Sequence, residues 1–174
     1  EDLDRYEENF RRAKAEVEKS RAQLEIVSDK LSVIRKKYSQ MLTDKIIEGL
    51  KDLNFLDVQF HIDFQRKKEY TDNGFDDIEY EISTNPGESV KPLGRIVSGG
   101  ELSRIMLAIK AILADRDQIE TLIFDEIDTG ISGRTAQKVS EKMAVIGKCH
   151  QVLCITHLPQ IAAMADTHFE IEKH

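Results

Sequence analysis

Apolar residues in the first part of the chain recur at alternating spacings of three and four. The pattern continues for more than five heptads without Gly or Pro. Its positions, among which Ser20 is the single polar one, are Leu3, Tyr6, Phe10, Ala13, Val17, Ser20, Leu24, Val27, Leu31, Ile34, Tyr38 and Met41. A helix with this pattern buries a narrow seam against a second helix. We therefore predict a coiled-coil arm helix over residues 1–49.

The alternative is one long amphipathic helix that folds back on its own domain. A heptad phase kept over this length favours the coiled coil, because an ordinary straight helix drifts out of register with a seven-residue repeat. The rest of the sequence offers no second strand for the seam. The partner helix would have to come from another copy, another chain or another part of the same polypeptide.

The periodicity changes beyond Gly49. Apolar and polar residues alternate over 58–64 and again over 78–82, and Asp72-Asn73-Gly74 lies between the two stretches. Alternation on both sides of a turn signal predicts an antiparallel strand pair.

Helical and strand patterns follow each other from Leu102 onward. Helical spacing runs from Leu102 to about Asp115 and recurs over 136–146 and 161–165, while short apolar runs at 122–124 and 152–155 predict strands. Phe169 and Ile171 suggest a last strand. This order implies parallel pairing with right-handed crossovers. We predict that residues 50–174 form an α/β lobe with a parallel sheet, crossover helices and the small antiparallel pair.

Composition limits the class of protein. The sequence has 40% hydrophobic and 33% charged residues, and no apolar run approaches the roughly 20 residues that cross a bilayer. We therefore do not expect a membrane protein. Cys149 and Cys154 are too few for a disulfide framework, so we expect reduced thiols and a cytoplasmic protein.

Residues 1–50 hold equal numbers of acidic and basic side chains, so the net charge of -7 lies in residues 51–174. That acidic lobe alone is a poor candidate for non-specific DNA binding.

Ser98-Gly99-Gly100-Glu101 stands directly before the helical pattern. A Ser and a Glu three residues apart form a capping box, which explains Ser98 and Glu101. It does not explain the two glycines, each of which costs a helix interior up to about 1 kcal/mol relative to Ala. Because glycines at a helix start allow close approach to exposed N–H groups, we interpret the segment as an anion site suited to phosphate.

Polar side chains follow two of the predicted strands. Asp125 and Glu126 come directly after residues 122–124, and His157 follows the next strand. Sites in such sheets cluster where the strands end. Carboxylate oxygens near phosphates suit Mg²⁺, a neighbouring Glu can orient or deprotonate a water, and a neutral imidazole can donate to a phosphate oxygen or to that water. Cys149, Cys154 and His157 lack the spacing of a zinc site.

One part of a nucleotide site is missing. No stretch reads G-x-x-x-x-G-K-[ST], the loop that cradles the phosphates of ATP. Gly94 to Gly99 comes nearest, but Gly100 and Glu101 stand where Lys and Ser or Thr are needed. The sequence therefore carries half of a nucleotide-hydrolysing site.

The three motifs, in this order, resemble those of ABC-type ATPases. Ser98 to Glu101 is similar to their signature motif, residues 122–126 to their Walker B strand, and His157 to their H-loop histidine. A heptad helix leading directly into such a lobe resembles the SMC-like branch of the family. Within that branch, residues 97–104, 124–133 and 155–162 are similar to bacterial members that act in the repair and recombination of DNA double-strand breaks.

The resemblance implies the roles of the site residues. Two heads would sandwich ATP, so the segment from Ser98 to Glu101 would bind the terminal phosphate of a nucleotide held by the partner head. Asp125 would help hold Mg²⁺, while Glu126 and His157 would be catalytic. Ser132 stands where the D-loop usually ends in Asp, which leaves the D-loop contacts open.

The resemblance also implies partners. These would be an N-terminal lobe with the phosphate loop, a second head in an ATP-dependent dimer, an antiparallel coiled-coil helix, and DNA in the nucleoid. The chain would then be truncated at both ends and inactive alone. A non-enzymatic coiled-coil assembly module with an ATPase-like fold is the alternative, and a transporter ATPase is disfavoured because it has no place for the heptad helix.

Overall fold

The computed structural model describes residues 2–116 and 118–172, with side chains from residue 5 onward. Its elements in chain order are helix α1 (Asp2–Asp52), strands β1 (Gln59–Thr71), β2 (Gly74–Ser83) and β3 (Lys91–Pro92), helix α2 (Gly99–Leu113), strand β4 (Thr121–Phe124), helix α3 (Gly133–Ile146), strand β5 (Gln151–Cys154) and helix α4 (Pro159–Ala162). None of the helices so described combines the length and the apolar content needed to cross a bilayer.

Contacts group the described residues into two compact units. The first comprises the chain up to Met41 together with Asp63–Ile78, and the second comprises Leu42–Ile62 together with the chain from Glu79 onward. These units describe contacts within the chain, and the predicted division into an arm of residues 1–49 and a lobe of residues 50–174 stays a prediction.

In the first unit, α1 meets the tip of the β1–β2 hairpin through polar side chains. Ser32 Oγ donates to Asp76 Oδ1 at 2.7 Å, and Arg35 Nη1 donates to Asp76 Oδ2 at 2.9 Å. Arg35 also donates to the carbonyl oxygen of Asn73 at 2.8 Å. The predicted turn is confirmed, and Gly74 at its end has φ of 84°, a backbone conformation that favours glycine.

Most of the heptad seam takes no part in that contact, although half-buried Leu31 lies beside Gly74. Tyr6, Val17 and Tyr38 on the seam are 69%, 64% and 52% exposed, and Leu3 lies outside the residues whose side chains are described. The N-terminal helix is confirmed and extends to Asp52. Most of the described seam positions are exposed, and pairing of the seam in a coiled coil stays a prediction.

The second unit has an apolar core. Side chains from the end of α1 and from the later elements are at most 1% exposed: Ile46, Leu50, Leu53, Ile105, Leu107, Ala108, Ile127, Ala136, Val139 and Ile146. Strands β4 and β5 pair in parallel, with Thr121 opposite Gln151 and Phe124 opposite Cys154. Because α3 lies between them in the chain, the predicted strand–helix–strand order with parallel pairing is confirmed.

Some predicted boundaries are wrong. Phe169 and Ile171 form no strand and are 89% and 90% exposed, because alternation of two apolar residues makes no ladder without a neighbouring strand. The last helix begins at Pro159 and ends at Ala162, earlier than predicted, since Pro suits the first turn of a helix. The short strand β3, which pairs antiparallel with β2, was not predicted.

Candidate active site

The segment predicted to bind an anion begins α2. Ser98 is the N-cap residue, with extended backbone, and its Oγ accepts a hydrogen bond from the N–H of Glu101 at 3.4 Å. This is one of the two bonds of the predicted capping box. Buried Ile105, Leu107 and Ile109 fix the helix in the unit, so its N-terminus is held in place.

Gly99 and Gly100 allow the loop after β4 to approach α2 closely. A Cβ at residue 100 would lie 2.8 Å from the carbonyl oxygen of Glu126 and 2.9 Å from the Cβ of Thr129, and one at residue 99 would collide with the Glu126 carboxylate. The chain's own loop therefore explains both glycines. A carboxylate lies where the amides and dipole of the helix favour negative charge, and phosphate binding there stays a prediction.

Arg104 fastens the same loop to α2. Its Nη1 donates to the carbonyl oxygens of Ile127 at 3.3 Å and Thr129 at 2.7 Å. The side chain is buried, and its guanidinium lies 5.5 Å from the ring centre of Phe55. Burial lowers the pKa of Arg104, an effect that the charge of Glu101 opposes. Nε of Arg104 is buried without a hydrogen-bond partner among the described residues, so the two carbonyls carry its contacts.

The loop itself begins at Asp125, directly after β4. The backbone carbonyl of Asp125 accepts a hydrogen bond from Ser103 Oγ at 2.7 Å, and its Oδ1 accepts one from the N–H of Glu126 at 2.8 Å. Glu126 has φ of 57°, a conformation that costs a residue other than glycine on the order of 1–3 kcal/mol. Strain of this kind clusters at functional sites, which supports a role for Glu126 beyond packing.

Asp128 joins this loop to the end of β5. Its Oδ2 accepts hydrogen bonds from Thr156 Oγ1 at 2.6 Å and from the backbone N–H of His157 at 2.8 Å, and it lies 3.1 Å from His157 Nδ1. Burial alone would raise the pKa of Asp128, but the Thr156 and His157 hydrogen bonds and the charge of His157 hold that pKa below its usual value. Asp128 is therefore an ionised acceptor at neutral pH.

The structure thus places the predicted site residues at the start of α2 and after β4 and β5. Glu126 contacts the signature segment at Gly99, and His157 contacts Asp128. Whether Ser98, Gly99, Gly100 and Glu101 bind nucleotide, Asp125 binds metal, and Glu126 and His157 act in catalysis stays a prediction.

Sequence reasoning assigned no role to four side chains of this cluster: Ser103, Arg104, Asp128 and Thr156. Arg104 carried a signal, since it lies one turn from Gly100 and one turn from buried Ala108 on the same face of the helix. A charged residue on a buried helix face needs partners. The partners of Asp128 lie 28 and 29 residues away, and no local pattern indicates them.

The fit for a metal rests on Asp125. Its side chain is exposed, and Mg²⁺ is commonly held by one or two carboxylates together with substrate phosphates and water. Among residues 5–116 and 118–172, whose side chains the structure describes, no three His, Cys, Asp or Glu side chains could hold a metal ion together. The donor set therefore fits a metal shared with a nucleotide.

Burial, together with the charges of Asp128 and Asp125, raises the pKa of Cys154 to about 11, so its thiol is protonated.

Similar solved structures show the class of fold. The Smc head domain with an extended coiled coil from Pyrococcus furiosus, bound to the C-terminal domain of ScpA, has a TM-score of 0.51, with 21% identity over 92% of this chain and 40% of that chain. The Smc head domain with a coiled coil and joint from Pyrococcus yayanosii also has a TM-score of 0.51, with 20% identity over 92% of this chain and 31% of that one. The chain has the fold of the C-terminal lobe of an SMC-like, ABC-type ATPase head with an N-terminal helix.

Similar sequences identify the family within that class. The DNA repair protein RecN of Halalkalibacterium halodurans is 47% identical over 171 residues, which are 96% of this chain and 30% of that protein. RecN of Bacillus subtilis is 44% identical over 158 residues, 82% of this chain and 27% of that protein. No family model matches. The chain belongs to the RecN family, and it spans less than a third of the length of these curated relatives.

Proposed function

We propose that the chain is the C-terminal lobe and adjoining arm helix of a RecN-like ATPase that repairs and recombines broken DNA in the bacterial cytoplasm, at the nucleoid. The observation that carries this proposal is the loop from Asp125 to Thr129. Glu126 is strained in this loop and lies against the signature segment, and Asp128 connects the loop to His157. Three segments that are distant in sequence are thereby joined where β4 and β5 end.

Each residue has a role in this proposal. Ser98, Gly99, Gly100 and Glu101 bind the terminal phosphate of ATP held by a second head, using the amides that begin α2. Asp125 holds Mg²⁺, which neutralises phosphate charge when bound. Glu126 orients the water that attacks a nucleotide held in its own head, and His157 contacts the terminal phosphate of that nucleotide or the water. Because the Glu126 carboxylate lies on Gly99 here, phosphate binding at this place requires the side chain to move.

An uncovered sheet face supports an N-terminal lobe as partner. Ile123, Leu153 and Ile155 are 67%, 44% and 58% exposed, although parallel strands are normally covered on both faces. Such a lobe would cover these side chains and supply the phosphate loop. In the same way, the exposed seam of α1 would bind an antiparallel helix. The acidic charge of residues 51–174 indicates that DNA binds elsewhere in the assembled protein.

Glu126→Gln in the full-length protein tests the proposed catalytic role. The amide keeps the size of the side chain but removes the proton acceptor, so we expect the rate of ATP hydrolysis to fall by about 100-fold or more while ATP binding is retained. Glu141→Gln is the matched control, because Glu141 is on α3 and pairs with Lys138 at the surface. A normal hydrolysis rate in the Glu126 variant would show that the assignment is wrong.

The exposed seam also suits a second candidate, a coiled-coil assembly module without enzymatic activity. In that case the wild-type full-length protein would bind its partners but hydrolyse no ATP. Hydrolysis by the wild type that depends on Glu126 excludes this candidate.

A further inference from the structure

Asp128 is a buried carboxylate that the proposed roles leave unused. It is 4% exposed, whereas the side chain of His157 above it is 75% exposed. Its Oδ2 accepts hydrogen bonds from the Thr156 hydroxyl and the His157 amide, and His157 Nδ1 lies 3.1 Å from the same oxygen. A buried carboxylate without compensation is costly, and the Thr156 and His157 amide hydrogen bonds supply that compensation.

The backbone on both sides of Asp128 is also fixed. Arg104 donates to the carbonyl oxygens of the residues before and after it, Ile127 and Thr129. The Ile127 side chain is fully buried. The carboxylate therefore has little freedom to follow a moving imidazole, and it sets the orientation of the ring.

We propose that Asp128 is a positioning residue that holds His157 in the tautomer with the ring proton on Nδ1. An ionised carboxylate offers only lone pairs, so a proton on the ring nitrogen 3.1 Å from it is favoured over a lone pair, which the carboxylate would repel. The neutral ring then has its lone pair on Nε2. The inference concerns how His157 works and so rests on the proposed function of this site.

This tautomer changes what a neutral His157 can do. Its Nε2 accepts a hydrogen bond, and the attacking water is a donor that fits it. Donation from Nε2 to a phosphate oxygen requires the ring to take up a second proton. The expectation that the neutral imidazole donates to phosphate therefore gives way to an imidazole that accepts from water when neutral and donates to phosphate when charged.

The tautomer can be measured directly by ¹⁵N NMR of the full-length protein labelled at its histidine rings, without nucleotide. Loss of a signal in His157→Gln assigns the residue. We expect wild-type His157, at a pH where its ring is neutral, to carry the proton on Nδ1. A proton on Nε2 in the wild type overturns the proposal without any variant having to fold.

Two variants separate positioning from folding. Asp128→Asn can present its NH₂ to Nδ1, so we expect the proton to shift to Nε2 and the kcat of ATP hydrolysis to fall by roughly tenfold or more. Thr156→Val removes one donor to Asp128 but keeps the carboxylate, so we expect the wild-type tautomer. The exposed His168 should be unchanged in both variants. An unchanged His157 tautomer in Asp128→Asn would contradict the proposal.

These measurements distinguish failure of the proposed ATPase function from failure of the positioning role of Asp128. If ATP hydrolysis does not depend on Glu126 but the tautomer follows Asp128, the proposed function fails and the positioning role stands. If hydrolysis depends on Glu126 but the tautomer does not follow Asp128, the positioning role alone fails.

Discussion

Helix α1 is used in two different ways along its length. In the second unit, its last turns place Ile46 and Leu50 in an apolar core with no exposed area. In the first unit, Ser32 and Arg35 make polar contacts with the hairpin, while most of the described seam positions are exposed. The same helix thus has its last turns in an apolar core and its earlier apolar seam largely uncovered. The uncovered seam is where we expect a partner helix to bind.

The two units also hold a buried carboxylate in different ways. Burial raises the pKa of Asp76, but hydrogen bonds from Ser32 and Arg35 and the charge of Arg35 hold it below its usual value. Asp128 in the second unit has no Arg or Lys among its described hydrogen-bond partners, which are Thr156 and His157. The first arrangement is a structural ion pair, and the second places an exposed imidazole.

The largest expected effect is in the second unit, where Gly100→Ala should break the contact between α2 and the loop. The added methyl group would lie 2.8 Å from a backbone oxygen, so the backbone must shift, and we expect a loss of roughly 2–3 kcal/mol in the free energy of unfolding by urea. Gly94→Ala is the control, because nothing lies within 4 Å of its added Cβ. Equal stability of the two variants would contradict the described packing.

Arg104→Lys tests the hydrogen bonds from the Arg104 guanidinium to the carbonyl oxygens of Ile127 and Thr129. Lys keeps the charge but cannot reproduce the planar guanidinium, so we expect a loss of about 2 kcal/mol in the free energy of unfolding. Arg134→Lys on the exposed side of α3 should change stability by less than about 0.5 kcal/mol. If both variants unfold at the wild-type urea concentration, the bonds of Arg104 to Ile127 and Thr129 do not hold the loop.

Asp76→Asn tests the ion pair of the first unit, with an expected loss of about 1 kcal/mol at neutral pH. Because the folded pKa of Asp76 is lowered, its contribution is present above the unfolded pKa of about 3.9 and is lost as the pH falls through the lower folded value. The difference from wild type should therefore shrink below pH 4. Asp77→Asn, at an exposed pair with Lys67, should show little effect, and a pH-independent difference for Asp76 would contradict the argument.

The smallest effect on stability is expected at the seam. Val17→Lys changes a side chain that is 64% exposed, so the free energy of unfolding should stay within about 0.5 kcal/mol of wild type. Self-association through the seam should nevertheless weaken in sedimentation at several concentrations. Ala15→Lys, exposed but off the seam, should leave association unchanged. A wild-type chain that stays monomeric at every concentration would count against a pairing seam in this chain.

Periodicity predicted the helices and strands where the pattern is local and repeated. The heptads predicted α1, and alternation around Asp72-Asn73-Gly74 predicted the hairpin. The strand at Phe169 failed because a strand needs a neighbour, which two alternating residues do not supply. The motifs placed Asp125, Glu126 and His157 at strand ends.

The contacts that organise the site were beyond the sequence pattern. Arg104 donates to carbonyl oxygens 23 and 25 residues away. Every residue has a backbone carbonyl, so the residue types at these positions do not reveal the acceptors. The glycines of the signature segment predicted a close approach, but the approaching group here is Glu126 and its loop. Such convergence depends on how α2, β4 and β5 pack.

If this chain is one half of an ATPase head, as proposed, Mg²⁺-dependent ATP hydrolysis should appear after the chain is mixed with the matching N-terminal lobe. We expect no turnover by the chain alone, turnover by the mixture, and loss of that turnover when the chain carries Glu126→Gln. Turnover by the pure chain, or a mixture that neither binds nor hydrolyses ATP although the two parts associate, would contradict this proposal.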